Sequence, residues 1–444
     1  MLSPFTPEPE RLLSDFESLR ALRGWEPTFL HSLRLRALRV FADTGFPTPR
    51  LESWRFTNVR RIAETEWSTP PAPGAVPEEA VAPWLIEPAH HLLLVDGQAA
   101  PDRETVQAPL PEGVTVVSLA EAVERWPSQV SHHLGRHAEL DGRGFVALNT
   151  ALHRDGAVLL IPPGTHLEQP VQLMFLASPG AAGTMCFPRV LVVVGEGARA
   201  TVVESYVGHD GSYLVCPVTE IVLESGSTLD HYTVQRQAPE SSHVAALHVH
   251  QSEDSRLRTH TVTLGGGLVR NELTVVLEGA GGEAAADGLY LTAASQHVDT
   301  YTTIRHAAPN CTSNQLFKGI LDDHSRAVFT GRVVVEPGAQ GTNAYQSNRN
   351  LLLSDHALAH SNPQLEIRAD DVRCTHGSTV GRHDADALFY LRTRGLDREA
   401  AESLLTYAFA SEVVGRLTLD AVHDLVEASI HERIDRGPRT GGSV

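Results

Sequence analysis

Lysine is almost missing from this chain: Lys318 stands alone among 36 basic residues in 444. Its solitude reads as a compositional bias toward arginine. Against 54 acidic residues the formal net charge is −18, and so acidic a chain lacks the clustered basic surface that nucleic acids and anionic membranes require. Cysteine is scarce too. Cys186, Cys216, Cys311 and Cys374 lie far apart without a C-x-x-C pair, which excludes a disulfide framework and a four-cysteine zinc site of the usual spacing. No apolar run approaches the roughly 18 residues of a membrane span. The start, MLSPFTPEPERLL, has no basic segment leading into an apolar one, so a cytoplasmic protein with reduced thiols is expected. There is no G-x-x-x-x-G-K-[ST] loop, and GEGARA at 195–200 opens no helical pattern. Neither nucleotide hydrolysis nor dinucleotide binding is therefore expected.

What is present divides into four stretches. From Pro9 to about Ala42, Leu12, Leu13, Phe16 and Leu19, then Phe29, Leu33, Leu35 and Leu38, recur at helical spacings. Gly24 and Pro27 split them into two helices, giving an N-terminal helical region over 1–50. Residues 51–143 read as a mixed segment. It opens on ESWRFT (Glu52 to Thr57), whose large aromatic among charges suits a contact that seats the N-terminal helices, and it includes the Pro- and Ala-rich linker 68–83. LLLVDG at Leu92 to Gly97 suggests a strand and turn, and Leu119 to Trp126 a helix.

Between 144 and 383 short runs rich in Val, Leu, Thr and Tyr alternate with turns. Gly164, Gly197, Gly226, Gly279 and Gly338 follow such runs, and their spacings approach one or two multiples of a coil near 28 residues. Stacked coils of that length make a parallel β-helix, in which each coil covers its neighbours and tight corners need Gly or Asn at positive φ. A β-sandwich is the competing architecture. Few two-residue hairpin signals and no Cys-Trp-Cys pattern weigh against it. After Asp384 the period becomes helical: Leu388, Tyr390 and Leu391 sit in a short helix that Gly395 closes, and Asp397 caps a longer one. Leu404, Leu405, Ala408, Phe409, Val413 and Leu417 form its apolar stripe, followed by Ala421, Leu425 and Ile430. Such a stripe is either core or a docking face. The fold expected is mainly β, a parallel β-helix flanked by helical regions, with 384–444 as the C-terminal helical domain.

Chemistry concentrates in Glu366 to Gly395, EIRADDVRCTHGSTVGRHDADALFYLRTRG. In a strand Cys374 and His376 share one face, where a thiolate and an imidazole could hold iron or zinc or accept sulfur. Chance alone supplies a Cys-x-His about one time in five in so histidine-rich a chain, so the pair also has a purely structural reading. His243, His248 and His250 invite a metal reading as well, His248 and His250 on one strand face. A satisfied or solvent-facing role is the plainer expectation for them.

DDVRCTHGSTVG followed by ALFYLRTRG, together with SNQLFKGIL (Ser313 to Leu321), YQSNRNLLL (Tyr345 to Leu353) and ESWRFT, resembles the SufB/SufD family of iron-sulfur cluster assembly subunits over most of the chain. SufB-type chains carry a cysteine shortly before the final strand and a His-Glu pair within it. Here Leu353 to Ala357 has no cysteine and His376 precedes Gly377, so the chain looks like the SufD branch. The resemblance implies a right-handed parallel β-helix and a scaffold subunit without catalytic residues. Its implied partners are a SufB-type paralogue, in a heterodimer, and the ABC-type ATPase SufC, docked on roughly Leu396 to Leu417 with Leu404, Leu405, Ala408 and Phe409. In isolation a homodimer is conceivable. His376, with Cys374 second, would contact iron or a transient iron-sulfur cluster at the heterodimer interface, with no cofactor held tightly by the isolated subunit. Two readings from other classes stand beside it: a polysaccharide-active β-helix enzyme, disfavoured by an aromatic content of only 6%, and a stand-alone metal-storage or sensing protein using Cys374, His376, His248 and His250.

Overall fold

A computed structural model describes Glu17 and residues 26–70, 72–73, 76–100 and 110–435. The first expected helix, with Leu12 and Phe16, lies outside these residues. The second is Thr28–Thr44, which buries Leu30, Ala37, Leu38 and Phe41 and ends at Gly45 with φ 63°.

From Gly156–Ile161 to Arg373–Gly381 the chain passes back and forth between two sheets of ten and eleven strands, winding a parallel β-solenoid of about eight turns. Successive coils pair parallel and in register, Leu229 lying between Ala200 and Leu257, and Leu257 beside Ala284. These four residues point inward, with Val202, Val192 and Ile221, into one continuous apolar core. Among the described residues, antiparallel pairs occur only where His90–Val95 meets Gln98–Ala99 and where Thr115–Ser118 meets Gly156–Ile161. That excludes the sandwich. The solenoid also reaches upstream of Gly144, because His90–Val95 pairs in parallel with Val171–Ala177.

One corner explains the repeat. Gly164, Gly197, Gly226, Asp254, Gly281, Asn310 and Gly341 all have positive φ, between 52° and 74°. Gly197, Gly226, Asp254, Gly281 and Asn310 each donate a backbone N–H to the next coil, to Ser225, Glu253, Ala280, Pro309 and Gln340 at 2.8–3.1 Å. The corner thus recurs once per coil. Gly279 and Gly338, expected as corner residues, are not in this conformation. Gly281 and Gly341 take their place, and Asp254 and Asn310 supply it in two coils because short polar side chains tolerate the left-handed region.

The two ends of the chain cover the outer faces of the two sheets. On the eleven-stranded sheet, Trp54 of the ESWRFT box stacks on Phe145 at 5.6 Å, and Arg270 lies over Trp54 at 4.1 Å. Thr57 donates to Asp299, which also pairs with Arg270. The box therefore seats the N-terminal region, as its composition suggested. Beside it, Arg189 pairs with Glu220 at 2.5 Å, and the Glu220 carboxylate accepts backbone N–H groups of Gly135, His137 and Ala138 at 2.8–3.1 Å. The expected linker is partly anchored: Ser68 bridges Thr184, and Glu78–Val81 is a short helix with Val81 buried.

On the ten-stranded sheet lie the helices Arg398–Val414 and Asp420–Asp435, and Ala385–Thr393 packs against the first of these. Val413, Val414, Leu417, Val422, Val426 and Ile430 pack on Tyr232, Leu289, Leu316 and Leu351. Lys318 is more than compositional residue here. It is 3% exposed, donates to the Phe409 carbonyl at 2.8 Å, pairs with Glu412 at 2.5 Å and sits 4.5 Å from the Phe409 ring centre. Replacing Lys318 with Met should cost about 1–3 kcal/mol, since it strips a buried carbonyl and a half-exposed carboxylate of their charged donor. Denaturant unfolding, with limited proteolysis of the C-terminal helices, measures this; an unchanged midpoint would remove Lys318 from the docking account.

Candidate partner interface at the open end of the solenoid

The final coil consists of Leu358–Ile367 in one sheet and Arg373–Gly381 in the other. Each pairs on one side only, with Arg326–Val335 and with Asn343–Leu352. Among the described residues no strand pairs with their other edges, so a row of backbone donors and acceptors is left open to pairing. Apolar side chains line the same end: Tyr345, Leu353, Leu358, Ile367 and Val380 are 40–47% exposed. A lone soluble domain usually blunts such an edge; here none of the described residues pairs with it.

Cys374 and His376 lie on this last strand. The register places Cys374 above Ala344, Ser313, Ala284 and Leu257, and His376 above Gln346, Gln315, Ala286 and Thr259. Since Leu257, Ala284 and Ala286 belong to the solenoid core, both side chains stand on the inward face of the strand, at the mouth. The expectation that they share a face is met. His376 is exposed and Cys374 half-buried. Burial pushes the Cys374 thiol above its usual range, offset in part by the Ala344 backbone N–H. At neutral pH Cys374 is therefore mainly a thiol, and it becomes a ligand only when a cation displaces its proton. Among the described residues the one grouping of three potential ligand atoms close together is His423, Asp424 and Glu427 on the C-terminal helix. Cys374 and His376 thus offer two ligands from this chain, and any fuller coordination sphere draws on groups from elsewhere.

The other histidines divide differently. His248 and His250 do share an outward face, but His248 is buried beneath the N-terminal region, whereas His250 pairs with Glu278 at 3.0 Å. His243 points into the solenoid, its ring 4.9 Å from that of Tyr206. Both nitrogens of His243 and of His248 have no partner among the described residues. The expectation of satisfied or solvent-facing rings fails for these two, because coil stacking and N-terminal docking cover them. Burial lowers both to about 3.

Of the four expected docking residues, Leu404 and Ala408 face solvent, Leu405 is half-buried, and Phe409 packs against the solenoid under Lys318. The buried side of that helix runs instead through Ala401, Thr406, Ala410, Val413 and Val414. Leu404 lines an open groove of about 760 Å³ with Leu396, Ala400, Tyr407 and His431. Nearby, Phe389 and Tyr390 are 67% and 55% exposed. Asp397 caps its helix as expected and Asp384 caps the preceding one, each accepting an N–H group at 2.8 Å.

A family model described as the SUF system FeS cluster assembly SufBD core domain matches residues 175–409. The SufBD protein N-terminal region model matches residues 16–173. The chain belongs to the SufBD family. Among the family's members, an iron-sulfur cluster assembly SufBD family protein of Synechocystis is 33% identical over 426 residues, covering 93% of each chain. The iron-sulfur cluster assembly protein SufD of Escherichia coli is 30% identical, covering 95% of this chain and 99% of its own. SufD of Bacillus subtilis is 26% identical, with 96% and 99% covered. Membership in an iron-sulfur assembly family takes precedence over the polysaccharide reading. No helix among the described residues is long and apolar enough to cross a membrane.

The buried histidines give this SufBD solenoid a pH signature. His243 and His248 titrate near 3 and His260 and His306 near 4 in the fold, against about 6.5 when unfolded. The unfolded chain thus binds more protons below pH 6.5, and each histidine removes about 1.4 kcal/mol of stability per pH unit as pH falls toward its folded value. Asp287, raised to about 6 by burial, opposes one of them between about pH 4 and 6. Unfolding free energy should therefore drop by several kcal/mol from pH 7.5 to 5.5. His243→Leu should shrink that drop by about 1.4 kcal/mol over the same interval; an identical drop in the variant contradicts the assignment.

Proposed function

We propose that the chain acts as a SufD-type scaffold subunit of a cytoplasmic iron-sulfur cluster assembly complex, without turnover of its own. In this reading a SufB-type paralogue pairs with the open end of the solenoid and supplies the sulfur-accepting thiol. A SufC-type ABC ATPase docks on the C-terminal helices and hydrolyses ATP. Iron or a nascent cluster is substrate at the heterodimer interface, touched from this side by His376 and, second, by Cys374. A homodimer through the same edge would be the form taken in isolation.

The observation that carries this reading is the coincidence of three features at one end: unpaired strand edges, exposed apolar side chains, and Cys374 with His376 on the last strand. A second solenoid end offers matching edges and can complete both sheets at once. An imidazole is a suitable ligand for ferrous iron and remains available when the neighbouring thiol is protonated.

Anaerobic affinity purification from the native cell, with mass spectrometry of the retained proteins, tests the assembly. An ABC-type ATPase and a paralogous β-helix protein should be retained; recovery of this chain alone would sink the scaffold reading. His376→Ala should leave that assembly intact and lower its iron and sulfide content several-fold, whereas unchanged content would clear His376 of the role. The helix face is separable from folding. Leu404→Asp should abolish ATPase capture with stability within about 0.5 kcal/mol of the parent, as expected of an exposed site. Val413→Asp, at a position 1% exposed, should instead unfold the C-terminal domain. Full ATPase capture by Leu404→Asp would move the docking face elsewhere.

A further inference from the structure

We propose that Gln346 is a positioning residue for His376, the middle rung of a polar column inside the last coils of the solenoid that Gln315 and Thr302 continue inward and Ser361 borders at the mouth. The proposal deepens the reading of His376 given above and rests on it for its functional meaning.

Three rungs cross the solenoid at this level. In the ten-stranded sheet, Gln315, Gln346 and His376 occupy one inward position in successive coils. In the facing sheet the corresponding row is Thr302, Gly331 and Pro363. Thr302 donates its hydroxyl to Gln315 Oε1 at 2.7 Å, closing the deepest rung. The middle rung is tighter. A Cβ on Gly331 would come within 2.2 Å of Gln346 Nε2, so the Gln346 side chain spans the interior to the opposite backbone. Glycine within a strand is less favourable than alanine, and here it makes room for that carboxamide. The outer rung pairs His376 with Pro363, which carries no N–H.

The carboxamide is not explained by packing. Gln346 is fully buried, yet neither its Nε2 nor its Oε1 has a partner among the described residues; Gln315 Nε2 and Ser361 Oγ share that condition. An unpaired buried donor or acceptor is destabilising, a cost that an apolar side chain of the same length avoids. Parallel pairing puts Gln346 one strand spacing, about 4.8 Å, below His376. The carboxamide can donate to or accept from an imidazole nitrogen, directly or through one water, and so choose the ring nitrogen that faces out of the mouth. A partner of this kind on the inner nitrogen orients a metal-binding imidazole and raises its basicity.

The test is nitrogen NMR of the histidine rings in the full-length chain labelled with 15N-histidine, the His376 signals being assigned by their loss in His376→Ala. Gln346→Met keeps length and removes the hydrogen bonds, and Gln346→Glu places a carboxylate in the same pocket. The Nδ1–H to Nε2–H tautomer ratio of His376 should change at least twofold in Gln346→Met. Its titration midpoint should rise in Gln346→Glu, where the protonated ring gains an anion. If Gln346→Met is too unstable to measure, Gln346→Glu decides alone. Unchanged His376 signals in the measurable variants would overturn the proposal, and higher stability of Gln346→Met with unchanged signals would mark the carboxamide as merely frustrated. The functional reading fails separately: normal iron and sulfide in the His376→Ala complex would dismiss His376 as a contact while leaving the Gln346–His376 coupling decided by NMR.

Discussion

A coil of a solenoid cannot satisfy itself. Its inward side chains and its backbone hydrogen bonds are completed by the coils above and below, so every coil is stabilised except at the ends. This chain treats its two ends differently. At the first, Gln98–Ala99 and Thr115–Ser118 turn antiparallel and finish the two sheets. At the other, Leu358–Ile367 and Arg373–Gly381 are the last strands, with no further strand among the described residues. The position of the Cys-x-His pair follows from that asymmetry: on any earlier strand the same two side chains would be sealed in the interior, as Gln346 and Ala344 are.

The outer faces of the sheets are closed by the chain's own termini, and buried ions fix where they dock. Arg189 with Glu220, Arg270 with Asp299 and Glu272, and Lys318 with Glu412 each join a strand either to another strand beneath the docked segment or to the segment itself. Such pairs add little net stability after desolvation, but they penalise any other placement by stranding a charge. Glu220 shows the device clearly. It gathers three backbone N–H groups and one guanidinium, and the Arg189 guanidinium and these backbone donors hold its carboxyl at about 2 despite full burial.

Local patterns were legible where one residue type answers one local demand. The coil length near 28 residues could be read from Gly164, Gly197 and Gly226 because those corners require positive φ. Reading faltered at Gly279 and Gly338, since Gly281 and Gly341 hold those corners, and two coils went uncounted because Asp254 and Asn310 satisfy the same requirement without being glycine. The C-terminal stripe was half legible. Val413 and Leu417 are core as the spacing implied, but Leu404 and Ala408 on the same stripe reach solvent, because the solenoid surface covers only part of the helix. Lys318 was illegible: nothing around it in sequence announces that its ammonium donates to the Phe409 carbonyl, in a helix 91 residues away.

The sequence by itself determined the solenoid, its helical flanks, the shared face of Cys374 and His376, and the resemblance that led to the family. These are properties of short periods, 2.0 and 3.6 residues and one coil, which survive in a linear string. Only the tertiary structure decided which strand is last, which histidines are sealed and which open, and which helix face is spent on the solenoid. Those outcomes depend on where stacking stops and what the termini cover, and both are sums over contacts between residues far apart in the chain.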